Sequence, residues 1–253
     1  MTFGKRICTT VLCLGFAGYL TTALTADNSA AVIAAAVADA GRPDADKGRD
    51  ADRKPAEVVA LAGIHAGSKV AEMWPGQGYF TRIFSKVVGP QGVVYALTPP
   101  PPPNAPPGRD PGAALKALAD SGYSNVKVMS LDPATPLPEQ VDVVWTSLNY
   151  HDMHARPNAD LAPINRMAFN ALKPGGVYMV IDHAAEKGSG TRDLALHRSD
   201  EELVKTEVKS VGFELATESQ LLRHADDTHK QSSHEVTRGK SDQFVLLFRK
   251  PKK

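Results

Sequence analysis

The sequence predicts a doubly wound α/β sandwich, and three observations carry that prediction. A strand-like run, Lys69-Val70-Ala71-Glu72, closes on a carboxylate and leads into Met73-Trp74-Pro75-Gly76-Gln77-Gly78-Tyr79. Helical spacing then begins at once with Phe80, Ile83, Phe84 and Val87. Further strand-like runs recur at 92–97, 125–131, 141–145 and 177–181, with a helical stretch bearing Ile164, Met167, Ala168 and Ala171 before the last of these. An acid ending a buried strand, glycines that admit a ligand close to the backbone, and a helix N-terminus together make a pocket for a polar, nucleoside-bearing cofactor.

Taken in order, residues 1–26 read as a secretory signal. Lys5 and Arg6 precede an uncharged apolar stretch, Ile7 to Leu24, and the small residues Ala23 and Ala26 offer cleavage before Asp27. The expectation is export to the periplasm; the alternative is an uncleaved membrane anchor, although threonines and glycines make the stretch only mildly apolar. Cys8 and Cys13 both lie inside it, so the mature chain has no thiol for a disulfide, a nucleophile or a thiolate metal site. Cleavage takes the formal charge from +1 to −1 and no basic face is apparent, which argues against nucleic acid as a partner.

Residues 27–53, an alanine-rich run followed by alternating charges, read as a flexible linker that is helical in part, with a single domain over 54–253. Pro55 suits the first turn of a helix carrying Val58, Val59, Leu61 and Ala62. The second strand, Gly92 to Leu97, runs into five consecutive prolines, Pro99 to Pro103, which impose an extended segment outside the sheet. A third strand ends at Asp132 and a fourth at Trp145, followed by Asn149-Tyr150-His151-Asp152. Ser199 with Glu202 reads as a capping box for a helix bearing Leu203, Val204, Val208 and Val211. Strands near 213–216 and 243–248 close the chain, and the long connection between them is placed to reach over the site.

The glycine loop separates two cofactor classes. A dinucleotide site needs a third glycine where Thr81 stands and an acid about 20 residues beyond, and that stretch, Tyr95-Ala96-Leu97-Thr98, has none. With Glu72 before the glycines and Leu172-Lys173-Pro174-Gly175-Gly176 leading into a hydrophobic strand, the chain from about Lys54 to Lys250 resembles the class I S-adenosylmethionine-dependent methyltransferases. Trp74-Pro75-Gly76, His197-Arg198-Ser199-Asp200-Glu201-Glu202, Leu222 to Asp227 and Arg238 to Asp242 resemble, within that family, a bacterial subgroup of predicted methyltransferases with export signals. The resemblance implies a Rossmann-like sheet of seven strands with the last antiparallel, S-adenosylmethionine as cofactor, and a cap over the pocket from the helix at Pro55. It departs from the family pattern at Trp74, which occupies the position of the first glycine.

Methyl transfer from a sulfonium is an in-line displacement, so alignment and exclusion of water come first, and a base is needed only for an acceptor that must lose a proton. Glu72 is the leading cofactor ligand, because an unpaired carboxylate on an apolar strand demands a donor or a cation. Pro75, Gly76, Gly78 and Tyr79 would form the cofactor turn, Asp132 would meet the adenine amino group, and Asn149 would sit beside them; Gly76, Gly78 and Asp132 are equally at home as turn residues. His151 is the candidate base with Asp152 orienting it, and His183 is a second candidate; a solvated loop histidine explains His151 as well. His197 and Arg198 could line an acceptor pocket, or Arg198 could pair with Asp200 or Glu201. His224, Asp226, Asp227, His229 and His234 fit no helix face, and no metal site is expected. The reading is a methyltransferase acting on a small molecule, with oligomeric state open. The alternative is a non-catalytic nucleoside-binding or small-ligand-binding protein of the same fold; a nicotinamide oxidoreductase is disfavoured by the loop.

Overall fold

A computed structural model describes residue 1 and residues 29–100, 110–156 and 159–252. The signal segment with both cysteines and most of the proline run lie outside the described residues. Helices α1 (29–37), α2 (Asp44–Lys47), α3 (Asp50–Arg53) and α4 (Pro55–Leu61) lead into β1 (Lys69–Met73), α5 (Tyr79–Val88) and β2 (Val93–Thr98). There follow α6 (Ala113–Asp120), β3 (Val126–Ser130), β4 (Val141–Ser147), α7 (Tyr150–His154), α8 (Ala162–Ala171) and β5 (Leu172–His183). After a short 3₁₀ turn come α9 (Glu201–Ser210), β6 (Glu214–Ser219) and β7 (Gln243–Arg249).

The seven strands form one sheet in the order β3-β2-β1-β4-β5-β7-β6. β1 pairs in parallel with both β2 and β4, and β7 runs antiparallel to both β5 and β6. Only β7 is reversed, as expected. Side-chain alternation builds one core on each face. Val70, Val94, Val143 and Trp145 pack under α4 and α5; Ala71, Met73, Tyr95, Leu97 and Val144 pack against α7, α8 and α9. Under α5, the rings of Phe80 and Phe84 lie 4.8 and 5.1 Å from Trp145, contacts worth about 0.5–1.5 kcal/mol each beyond area burial. β6, at the sheet edge, alternates exposed and half-buried residues. Strand order reverses between β1 and β4, and the crevice outside their carboxyl ends is where open sheets of this kind bind ligands.

Residues 29–53 differ from the expected linker. α1 buries Ile33 and Ala36 in the core under α5. Arg42 is buried and holds Asp50 through paired bonds of 2.8 and 2.7 Å. Asp50 also accepts the Tyr79 hydroxyl at 2.6 Å, and Asp46 pairs with Arg82 at 3.0 Å, so α2 and α3 are fastened to the start of α5. The cap of α9 is a second difference: Asp200, not Ser199, accepts the Glu202 backbone N–H at 3.0 Å. Among the described residues no helix is long and apolar enough to cross a membrane.

Candidate active site at the carboxyl edge of the sheet

Glu72, next to last in β1, lies on the α5 side and is 3% exposed. Its Oε2 accepts the Thr81 hydroxyl at 2.6 Å, so the residue standing where a dinucleotide site has its third glycine fixes the carboxyl instead. Burial raises the Glu72 pKa to about 7, against the pull of Thr81 and the nearby Arg53 charge. The turn that follows takes left-handed backbone at Trp74 (φ 51°), Gly76 (φ 58°) and Gly78 (φ 85°). Trp74 thus takes a backbone conformation that glycine adopts freely, at a cost of about 1–2 kcal/mol. It is held by its N–H to the Leu97 carbonyl at 2.8 Å and by the Arg156 guanidinium, 4.7 Å from its ring. A Cβ at Gly76 would meet nothing within 4 Å, leaving the backbone open to a ligand, whereas one at Gly78 would come within 3.2 Å of Leu115 and Leu118. Gly78 serves the turn and does not line the cavity.

The cavity behind this turn, about 360 Å³, is walled by α3 in place of the expected α4, whose Val58 and Val59 are buried in the core. Arg49 and Arg53 face it together with Glu72, Pro75, Gly76 and Tyr79. The Arg53 guanidinium lies 4.6 Å from the Tyr79 ring and has no hydrogen-bond or ion-pair partner among the described residues; burial pulls its pKa down to about 10. The Tyr79 hydroxyl is already engaged by Asp50. A second cavity, about 520 Å³, lies on the other side of the Trp74-Gln77 turn against Thr98, Pro99, Asp110 and Leu115. Asn149 borders both, donating to the Trp74 carbonyl at 3.0 Å. Asp132 borders neither: it is exposed, and its two oxygens accept from Ala134 N and the Thr135 hydroxyl, which is the turn reading.

Across the first cavity, α7 and the end of β5 bring together a histidine group. His151, 3% exposed, meets Asp182 with its Nδ1 at 2.7 Å, and Asp182 is fully buried. Asp182 also accepts from the His151 N–H (2.8 Å), the Ser199 hydroxyl (2.8 Å) and the His183 N–H (2.9 Å). Burial pushes the His151 pKa down, but the Asp182 charge and hydrogen bond outweigh it and the net shift is upward. Asp182 shifts the opposite way: burial raises it, and His151 more than offsets that. The partner that orients His151 is therefore Asp182, with Asp152 on the far side of the ring, its oxygen 3.5 Å from Nε2. His183 lines the same cavity, but burial drops its pKa to about 4 and its Nδ1 is bound to the Ser241 hydroxyl, which makes it the poorer base.

His197 stands edge-on to His151 at 5.4 Å and stacks on His234 at 4.2 Å, so the β6–β7 connection does reach the cavity. Arg198 does not reach it. It is fully buried and grips Asp227 at 2.9 and 3.1 Å, pinning that connection down. His229 pairs with Asp242 at 3.1 Å in the same network. Sequence reasoning missed Arg53, Asp182 and Ser199; Asp182 carried the same signal as Glu72, an acid closing an apolar strand.

No family model matches the chain, and no curated protein matches it. Solved structures do. A SAM-dependent methyltransferase from Aquifex aeolicus aligns with a TM-score of 0.53 at 18% identity, over 76% of this chain and 87% of that one. The arsenic(III) S-adenosylmethionine methyltransferase CrArsM from Chlamydomonas reinhardtii aligns at 0.52 and 17%, over 87% and 73%. The [4+2]-cyclase SpnF aligns at 0.55 and 17%, over 79% and 81%. At these identities the likeness is one of fold, and the fold is that of the Rossmann-like class I S-adenosylmethionine-dependent methyltransferases.

Proposed function

We propose that the protein transfers a methyl group from S-adenosylmethionine to a small-molecule acceptor. One observation carries the reading: a buried carboxyl, Glu72, and a guanidinium with no hydrogen-bond or ion-pair partner among the described residues, Arg53, face one cavity, and a second cavity opens beyond the exposed Gly76 backbone. An amino acid's ammonium and carboxylate need that pair of charges, and a nucleoside needs the second chamber. When bound, the cofactor supplies an electrophilic methyl on a sulfonium. Glu72 and Arg53 hold the amino-acid end, Tyr79 and Pro75 shield it from water, and His151, held by Asp182, accepts the acceptor's proton at Nε2.

A second reading, a binding protein of the same fold without methyl transfer, is favoured by Trp74, which borders both chambers at the position where the family pattern has glycine. The cyclase among the structural relatives carries the fold under a different reaction. We also propose export, from Lys5, Arg6 and the apolar run after them; an exported methyltransferase requires a supply of its donor outside the cytoplasm. Calorimetric titration with S-adenosylmethionine and its demethylated product separates the outcomes. Micromolar binding of both is expected; binding of neither would sink the cofactor reading. Once an acceptor is found, His151→Ala is expected to slow turnover and leave cofactor affinity largely unchanged.

A further inference from the structure

Beside the first cavity, which His151 and Asp152 line, three side chains converge: His151, Asp152 and His197 each offer one ligand-capable atom, all within 4.8 Å of one another. The Asp152 oxygen is 3.5 Å from His151 Nε2 and 3.4 Å from His197 Nδ1. His197 Nδ1 is buried and has no hydrogen-bond partner among the described residues. Donors bound to one ion at about 2.1 Å in tetrahedral array stand about 3.4 Å apart, which is the spacing seen along both carboxylate–imidazole edges.

We infer that His151 Nε2, Asp152 and His197 Nδ1 form a site for a divalent transition cation of the zinc or cobalt class, with open positions facing the acceptor side of the cavity. Two imidazoles and one carboxylate, with no thiolate, select such ions over magnesium or calcium, which prefer all-oxygen shells. The surroundings are those of a metal ligand. Asp182 takes the other nitrogen of His151, fixing which nitrogen faces the ion, and Asp182 is itself held by Ser199. His234 stacks on His197 and steadies that ring. This inference concerns the acceptor end of the proposed methyltransferase site and replaces the base there: with the ion bound, His151 Nε2 is a ligand, and an acceptor oxygen on an open position is acidified by the cation, its proton leaving to solvent.

The test is titration of the untagged, chelator-stripped full chain with Zn²⁺, Co²⁺ and Mg²⁺, beside a titration with S-adenosylmethionine on the same preparation. One tight Zn²⁺ or Co²⁺ per chain is expected, with Co²⁺ showing the visible absorption of a low-coordinate nitrogen–oxygen site, and Mg²⁺ far weaker. His197→Gln and Asp152→Asn should each weaken Zn²⁺ about 100-fold or more, and Asp182→Asn about 10–100-fold. His65→Gln, a distant surface change, should leave Zn²⁺ unchanged. Absence of stoichiometric Co²⁺ absorption in the unmutated chain overturns the site without recourse to any variant, as does Zn²⁺ affinity indifferent to His197→Gln. Zn²⁺ bound with no S-adenosylmethionine bound would sink the cofactor reading alone; the reverse would sink the metal site alone.

Discussion

Glu72 and Asp182 are both acids at strand ends, and their surroundings send them opposite ways. Glu72 has one hydroxyl partner and a pKa near 7, so it is about half protonated at neutral pH. Only its ionised form attracts an ammonium; cofactor affinity should therefore rise with pH through about 7 and level off above 8, falling by up to about tenfold per unit below 6. Calorimetry from pH 5.5 to 8.5 reads this, and in Glu72→Gln the slope should vanish along with most of the affinity. Asp182 lies below the usual carboxylate range and His151 above the usual imidazole range. Asp182 stabilises the fold above its usual carboxylate pKa, and that contribution is lost as pH falls through its lowered value. The His151 contribution is full below its usual pKa and fades as pH rises through its raised one. Asp182→Asn should cost about 3 kcal/mol or more in urea unfolding, with the deficit larger at pH 5.5 than at pH 9. Sequence alone suggested Asp152 as the partner of His151, because neighbours in sequence are visible and a carboxylate thirty-one positions away is not.

Among elements, those with a long period were legible and those of one turn were not. β1 to β5 announced themselves through apolar runs, closed by an acid in β1 and β5 and followed by one after β3. α2 and α3 are four residues each, too short for any periodicity, and their polar ties are to Tyr79 and Arg82, far along the chain. Charged residues that pair at a distance look, in sequence, like a solvated linker. The capping pattern misled for a related reason: Ser199 fits a cap, but a buried carboxylate competes for its hydroxyl and Asp200 takes the role. Asp50→Ala tests the importance of α3. It strands the buried Arg42 and releases Tyr79, so unfolding should lose about 2 kcal/mol, discounted for the partial exposure of Asp50. Cofactor affinity should fall in parallel as Arg53 loses its anchorage; affinity unchanged in a folded Asp50→Ala chain would remove Arg53 from the binding site.

At the scale of the molecule, the sheet order sets everything else, since the reversal between β1 and β4 opens the crevice in which the turn, α3 and the histidine group meet. Seven strands with the last reversed were what the resemblance implied; the order of the strands, set by pairing between distant segments, was not read from the sequence. What sequence could not show is that the crevice has two chambers with one partition, the Trp74-Gln77 turn. A partitioned groove behaves as two half-sites. Free methionine should occupy one and adenosine the other, each weakly, and saturating either should not exclude its counterpart in a competition titration. A molecule joining the two halves should then bind about 100-fold or more tightly than either, because its second contact is made at the high local concentration that tethering provides. The rigid turn, stiffened by Pro75 and by Asn149 behind it, would act as a ruler: it rewards a linker of one length and penalises shorter or longer ones.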